Sequence, residues 1–231
     1  MISVCIAVYN GQKFLEAQVR SILPQLSAED EIVVSDDCST DSSLPILKEM
    51  GDARIRIIGN TERLGPIYNA ERALRAARGN LIFLSDQDDV WLPGKADTCM
   101  DALEDADLVL HDAFILHDGI RLPETLFQRR CARPGLLHNL YRNGYTGCCM
   151  AFRRAVLDTV LPFPPALPMH DQWLGLIAEK KYRVQFIDSA LIEYREHSAN
   201  YTATASGSNN GLLTRLRWRV SILLALRKRL R

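Results

Sequence analysis

The chain has 231 residues, 47% hydrophobic and 24% charged, with no formal net charge. It can fill one sizeable core, as a single large domain or two joined halves, with the composition of an ordinary globular protein. The neutrality hides an asymmetry: Arg215, Arg217, Arg219, Arg227, Lys228, Arg229 and Arg231 meet no acidic residue in 215–231, which leaves 21 basic against 28 acidic residues before them. An acidic body with a short basic tail argues against a nucleic-acid-binding fold. Cys5, Cys38, Cys99, Cys131, Cys148 and Cys149 show no C-x-x-C spacing, which argues against a zinc site or disulfide framework and suits a reducing cytosol. No basic leader precedes the first apolar run, and "VSILLAL" near the end is too short to span a bilayer, so a cytoplasmic location is expected.

In chain order, "ISVCIAV" (2–8) predicts a strand. Phe14, Leu15, Val19, Ile22 and Leu26 recur at helical spacing. "EIVVSDD" (31–37) is a second strand, "SSLPILKEM" a short helix stopped by Gly51, and "RIRIIGN" (54–60) a third strand. Pro66 opens a helix that runs to Gly79. "LIFLSD" (81–86) is a fourth strand, Pro93 opens another helical segment, and "ADLVLHDAFIL" (106–116) is a fifth strand. Strands separated by helices of this length predict βαβ units and a mostly parallel sheet.

The second half is less regular. Residues 126–144 read as helical around a turn, 147–163 as strand then helix, and 162–168 as a Pro-rich connection. Residues 170–181 read as a helix and 183–197 as one or two strands. "SANYTATASGSNNG" (198–211) reads as a mobile loop. A soft division falls near residue 112.

Two acidic clusters fall at strand ends, where open parallel sheets bind ligands. Asp36 and Asp37 end the second strand; Asp86, Asp88 and Asp89 end the fourth. Hard oxygen donors at D-x-D spacing suit Mg²⁺ or Mn²⁺ with phosphate oxygens. Asp36 and Asp37 equally suit turns and helix caps, and Asp89 suits a cap before Pro93. The glycine fingerprints of dinucleotide and P-loop folds are missing after the first strand, where the chain reads "VYNGQKF", so an aspartate-bound cation is the device left for a diphosphate.

The stretches 3–25, 31–43, 60–93 and 170–200, with "VYN", "DDCSTD" and "DQDD" at successive strand ends, resemble the inverting glycosyltransferases of family 2 over well over half the chain. The "SDQDDVW" and "HDQW…YREH" versions are most similar to bacterial rhamnosyltransferase-type enzymes that build surface polysaccharides. The resemblance implies a GT-A fold: a mostly parallel central sheet in a three-layer αβα sandwich, with a smaller mixed acceptor-side half. Residues 1–112 would form the nucleotide-sugar-binding half, 113–205 the acceptor and catalytic-base half, and 206–231 a basic amphipathic tail.

By the same resemblance, Ala7, Tyr9, Asp36, Asp37, Arg63 and Asp86 sit where the family grips the nucleotide sugar, and Asp88, Asp86 and His197 where it holds a divalent cation, Mg²⁺ or Mn²⁺. Asp88 would be the direct ligand and Asp89 its support. Asp171 matches the catalytic base, with Gln172 departing from the commoner "HDWW" and "ED" forms. Bland readings stand beside these: Tyr9 as a half-buried aromatic, Arg63 as a surface charge, Asp171 as an N-cap, His197 as structural, and Trp91 and Trp173 as core rather than sugar platforms. The implied reaction moves a sugar from a nucleoside-diphosphate donor to a glycan or lipid-linked acceptor. The alternatives are a non-catalytic nucleotide-sugar-binding or scaffold protein, or a sugar nucleotidyltransferase. "LLTRLRWRVSILLALRKRLR" (212–231) suits an anionic membrane surface at the inner face of the cell membrane, or a packed helix with a solvated basic face.

Overall fold

The computed structural model describes residues 1–165, 167–196 and 212–230, with side chains from 217 onward in the last stretch. The segment expected to be a mobile loop, and His197 beside it, lie outside the described residues.

β1 (Ile2–Val8), β2 (Glu31–Asp36), β3 (Ile55–Gly59) and β4 (Leu81–Ser85) pair in parallel in the order β3-β2-β1-β4. β1, β2 and β4 are buried almost throughout, and for that reason read as continuous apolar runs rather than alternating ones. α1 (Leu15–Ile22) buries Leu15, Gln18, Val19 and Ile22, one stripe at helical spacing. α2 (Ser43–Glu49) contacts α1, and α3 (Gly65–Ala76) packs on β1 and β2. Right-handed crossovers place α1 and α2 on one face of the sheet and α3, returning across β2 and β1, on the other. The chain thus reverses direction between β1 and β4, and a crevice opens at their carboxyl ends.

β5 (Val90–Trp91) and α4 (Lys95–Asp105) lead into β6 (Leu108–His117). β7 (Ile120–Thr125) folds back on β6, followed by α5 (Leu126–Arg130) and α6 (Leu136–Tyr141). A tight turn at Gly147–Cys149 opens β8 (Met150–Arg153), then α7 (Arg154–Val160), α8 (His170–Lys181), β9 (Val184–Glu196) and α9 (Leu212–Arg229). Among the described residues, nine strands form one sheet, β3-β2-β1-β4-β8-β6-β9-β5, with β7 on β6. β8 runs against both its neighbours, while β6 and β9 are parallel, so the sheet stays mostly parallel as expected. Residue 112 falls within β6, at a shift in its register with β9.

Two strands were not foreseen. β5 has only two residues, anchored on β9. β7 is set by Asp118 and Gly119, both at positive φ, which close a two-residue hairpin between paired His117 and Ile120. Asp-Gly is a strong short-range signal for such a turn.

α9 rests on the body through Ile222 and Leu226, both buried. Arg229 donates to the carbonyls of Thr159, Leu161 and Pro162, and Arg219 lies over the Tyr141 ring. Among the described residues, no helix is long and apolar enough to cross a membrane.

Gly175 sits inside α8 with the Tyr145 ring 2.4 Å from where a Cβ would lie. Propensity alone favours alanine in a helix interior by about 1 kcal/mol, but Tyr145 is fully buried and has nowhere to move. Gly175→Ala is therefore expected to destabilise the protein by about 1–3 kcal/mol in urea unfolding, as overpacking does; a stabilised variant would show that the contact is soft.

Candidate active site

The loops beyond β1, β2 and β4 are bound to one another before any ligand is considered. Gln87 accepts from the Tyr9 N–H at 2.9 Å and donates to the Tyr9 carbonyl at 3.2 Å. Asn10 Oδ1 accepts from the Thr40 N–H, Ser39 Oγ from the Asn10 N–H, and Asp41 from the Gln12 N–H. The "YNGQ" and "CSTDSS" stretches are thus one hydrogen-bonded unit. The guanidinium of Arg63 lies 3.8 Å from the centre of the Tyr9 ring, so these two expected nucleotide contacts form one flat, exposed-edge surface. Ala7, half-buried, pairs in register with Ser35 on the same crevice.

The first acidic pair divides. Both residues are buried at 2% exposure. Asp37 spends its oxygens on Leu64 N–H (2.7 Å), Gly65 N–H (2.9 Å) and Asn60 Nδ2 (2.9 Å), which ties down the start of α3. Asp36 accepts from Ser39 N–H through Oδ2, and its buried Oδ1 has no partner. Asp37 holds the fold; Asp36 has the oxygen to spare.

At the end of β4 the three carboxylates crowd together. Withdrawal of solvent, then the charge of Asp88, raise the carboxyls of Asp86 and Asp89. The residue Asp86 still reaches solvent, whereas Asp89 is 1% exposed. Asp89 does not cap α4: its Oδ1 accepts the Arg195 N–H of β9 at 3.1 Å, and Oδ2 meets no N–H or O–H donor. Gly94 occupies the N-cap position, without a side-chain cap. Asp88, expected as the direct ligand, is half-buried beside them, and its charge bears on both. The tightest donor group among the described residues is Asp86, Asp89 and Cys148, with one ligand atom of each within 4.8 Å of the others.

Asp171 lies in the first turn of α8, one residue inside it; Met169 is the N-cap and makes no side-chain cap bond. Asp171 is thus not the N-cap residue, but its Oδ1 accepts the Gln172 N–H at 2.6 Å, so one oxygen serves the helix start. Asp171 is 7% exposed, lies against Gly147 beside Cys148, and its charge raises the Asp86 carboxyl. β8 and α8 thus bring the second half's carboxylate to the β4 cluster.

Three residues carry this arrangement without having been singled out. Lys95 is fully buried, donates to the Cys148 carbonyl at 2.8 Å and stands 4.1 Å from the Trp91 ring centre. Its ammonium is the buried cation under the acidic cluster, and burial lowers its pKa. Cys148 faces Asp86 and Asp89, and its thiol eases their charge. His111, fully buried, has Nδ1 at 2.7 Å from the Asp112 carbonyl and no partner at Nε2; burial and the Lys95 charge keep it neutral. Trp91 and Trp173 are core residues, their indoles donating to Ser85 Oγ and the Val160 carbonyl.

Comparison with known proteins places this geometry. The profile of Glycosyl transferase family 2 matches residues 3–161. A glycosyltransferase assigned to teichuronic acid biosynthesis, TuaG of Bacillus subtilis, is 26% identical over 84% of this chain and 79% of its own. The UDP-Glc:alpha-D-GlcNAc-diphosphoundecaprenol beta-1,3-glucosyltransferase WfaP of Escherichia coli is 36% identical over 41% of this chain and 38% of its own. The structure of S. aureus TarS 1-349 with UDP-GlcNAc superposes with TM-score 0.74 at 22% identity, over 96% of this chain and 66% of that one. The mannosyltransferase PcManGT of Pyrobaculum calidifontis, with GDP-Man and Mn²⁺, gives TM-score 0.64 at 16% identity, over 98% of this chain and 75% of that one. These likenesses establish the GT-A fold, and the chain spans just under two thirds of the TarS fragment.

The division of labour in the first pair is testable by stability. Asp37→Asn turns an amide NH₂ donor towards the N–H donors that Asp37 now accepts and is expected to cost about 1–3 kcal/mol in denaturant unfolding. Asp36→Asn keeps an acceptor for Ser39 and should cost less than about 1 kcal/mol. Equal losses would mean that both are structural.

Proposed function

The chain belongs to glycosyl transferase family 2, and on that premise we propose that it is an inverting glycosyltransferase, moving a sugar from a nucleoside-diphosphate donor to a hydroxyl of a glycan or lipid-linked acceptor in cell-surface polysaccharide synthesis. The observation that carries the reading is the approach of Asp171, from the second half of the chain, to the acidic cluster at the end of β4. The names of TuaG and WfaP support the biosynthetic setting and the lipid-diphosphate acceptor.

The proposed roles follow the crevice. The Tyr9–Arg63 surface and the spare oxygen of Asp36 take the base and ribose, with Ala7 and Asp37 shaping the wall behind them. Asp86, Asp88 and Asp89 hold Mg²⁺ or Mn²⁺; the buried oxygen of Asp89 that meets no N–H or O–H donor fits an incoming cation. Such a cation would neutralise charge on the departing diphosphate. His197 remains a proposed contributor next to β9. Asp171 accepts the proton of the acceptor hydroxyl as that oxygen attacks the anomeric carbon. With one base and no enzyme nucleophile, a single displacement inverts the anomeric centre. Residues 1–112 act as the donor half and 113–205 as the acceptor half.

The tail gives a second proposal, a peripheral location at the inner membrane face. Trp218, Val220, Leu223 and Leu224 are 36%, 46%, 47% and 64% exposed, although Ile222 and Leu226 on the same helix are buried. Arg217, Arg227 and Lys228 are exposed among them. Apolar side chains left outside and flanked by cations suit an anionic lipid surface.

Asp171→Asn is expected to lower turnover by about 10²–10⁴-fold while metal-dependent donor binding survives. Assays across UDP-, dTDP- and GDP-sugars with Mn²⁺ would show it; undiminished turnover removes Asp171 from the mechanism, and donor binding without turnover in the unaltered protein favours a non-catalytic binder. For the tail, sedimentation with vesicles of phosphatidylcholine and phosphatidylglycerol is expected to carry the protein down in a salt-sensitive manner, and Leu223→Glu with Leu224→Glu to abolish this. Equal sedimentation of the two proteins would refute the membrane surface.

A further inference from the structure

The donor group at the end of β4 contains an atom that a carboxylate motif does not announce. An oxygen of Asp86, an oxygen of Asp89 and Cys148 Sγ lie within 4.8 Å of one another. Two ligands of one ion stand at most two bond lengths apart, about 4.2–5 Å for metal–oxygen and metal–sulfur bonds. The three atoms are thus close to the span of one ion's ligands, and a small side-chain adjustment would bring them onto a single cation. A separate observation points to the same place: Asp89 is 1% exposed, its Oδ2 meets no N–H or O–H donor, and the side-chain group that hydrogen-bonds its carboxyl is the Cys148 thiol. A buried carboxylate oxygen is costly unless something completes it.

Cys148 is fixed where this requires. It is 1% exposed, lies in the turn Gly147–Cys149, and its carbonyl is held by Lys95 Nζ at 2.8 Å. Its sulfur faces both carboxylates, while Cys149, the next residue, is not part of the donor group.

We propose that Cys148 Sγ is a protein donor to the divalent cation, alongside Asp86 and Asp89, and that it biases the site towards Mn²⁺, Co²⁺ or Zn²⁺ over Mg²⁺. The inference rests on the metal-assisted glycosyltransferase reading for the presence of a cation. A thiolate is a soft ligand that borderline cations accept and that the hard, oxygen-seeking Mg²⁺ does not. Binding exchanges the S–H bond for an S–metal bond and releases the proton to solvent.

Cobalt substitution tests this without turnover. With Co²⁺ and UDP, the unaltered protein is expected to show sulfur-to-cobalt charge-transfer absorption in the near ultraviolet. The band should vanish in Cys148→Ser and persist in Cys149→Ala. Titration of each metal by calorimetry should show the Mn²⁺-over-Mg²⁺ preference falling by about tenfold or more in Cys148→Ser. The spectrum of the unaltered protein decides the matter even if a variant folds poorly. Co²⁺ bound with only its visible d–d bands would overturn the sulfur ligand and leave the metal-assisted reading intact. No binding of Co²⁺, Mn²⁺ or Mg²⁺ in the presence of UDP would overturn both.

Discussion

The structure depends on gathering negative charge at one point and holding it there. Asp86, Asp88 and Asp89 end β4, Asp171 comes in from α8, and one buried ammonium, Lys95, lies under them. Like charges this close cannot all stay ionised in a dry setting without a counter-charge. Lys95 supplies part of it from inside the core, through the Cys148 peptide rather than by a direct ion pair among the described contacts. Its own burial lowers its pKa, so it is itself held under electrostatic stress. A cation on the open side, where Asp86 meets solvent, would relieve that crowding. Stability and ligand demand are set by the same residues.

Such a cluster is useful only if its frame does not yield. The frame is made from backbone groups and short polar side chains. Gln87 stands between Asp86 and Asp88 but turns away from them to clamp the Tyr9 backbone from both sides. Ser39, Thr40, Asp41 and Ser43 serve the loop after β1 in the same manner. A motif that looks like a set of ligand contacts is largely a lattice that holds the Tyr9–Arg63 surface and the β4 carboxylates in register.

Much of this was legible in the sequence, for a physical reason. β1, β2 and β4 are buried on both faces, so they read as short apolar runs, and the Pro66 start and Gly79 stop bound α3 within a few residues. Acidic residues at strand ends point to the crevice because the parallel topology aligns those ends. What stayed hidden depends on long-range contact. Lys95 and Cys148 are 53 positions apart and meet only because β8 returns antiparallel between β4 and β6. Asp36 and Asp37 are adjacent and chemically alike, but one backbone step turns them to different partners. The β7 hairpin had a local signal in Asp118-Gly119, obscured by the exposed, unpatterned strand that follows.

The two halves are joined at β9 more than at any linker. Arg195 N–H in β9 bonds Asp89 at the end of β4. The next residue, Glu196, is 5% exposed and takes both oxygens to Arg129 of α5, at 3.0 and 2.9 Å. Both contacts come from the single nitrogen Nη1, while Nε and Nη2 of Arg129 go to Glu124, so one partly shielded guanidinium joins the two glutamates. β9 also pairs along β6 and carries β5, so the strand that bonds Asp89 is itself built into the sheet on both sides. Two consecutive residues of β9, Arg195 and Glu196, therefore link the buried carboxylate of Asp89 at the end of β4 to Arg129 of α5, so the end of β4 and the helix after β7 are held by one strand.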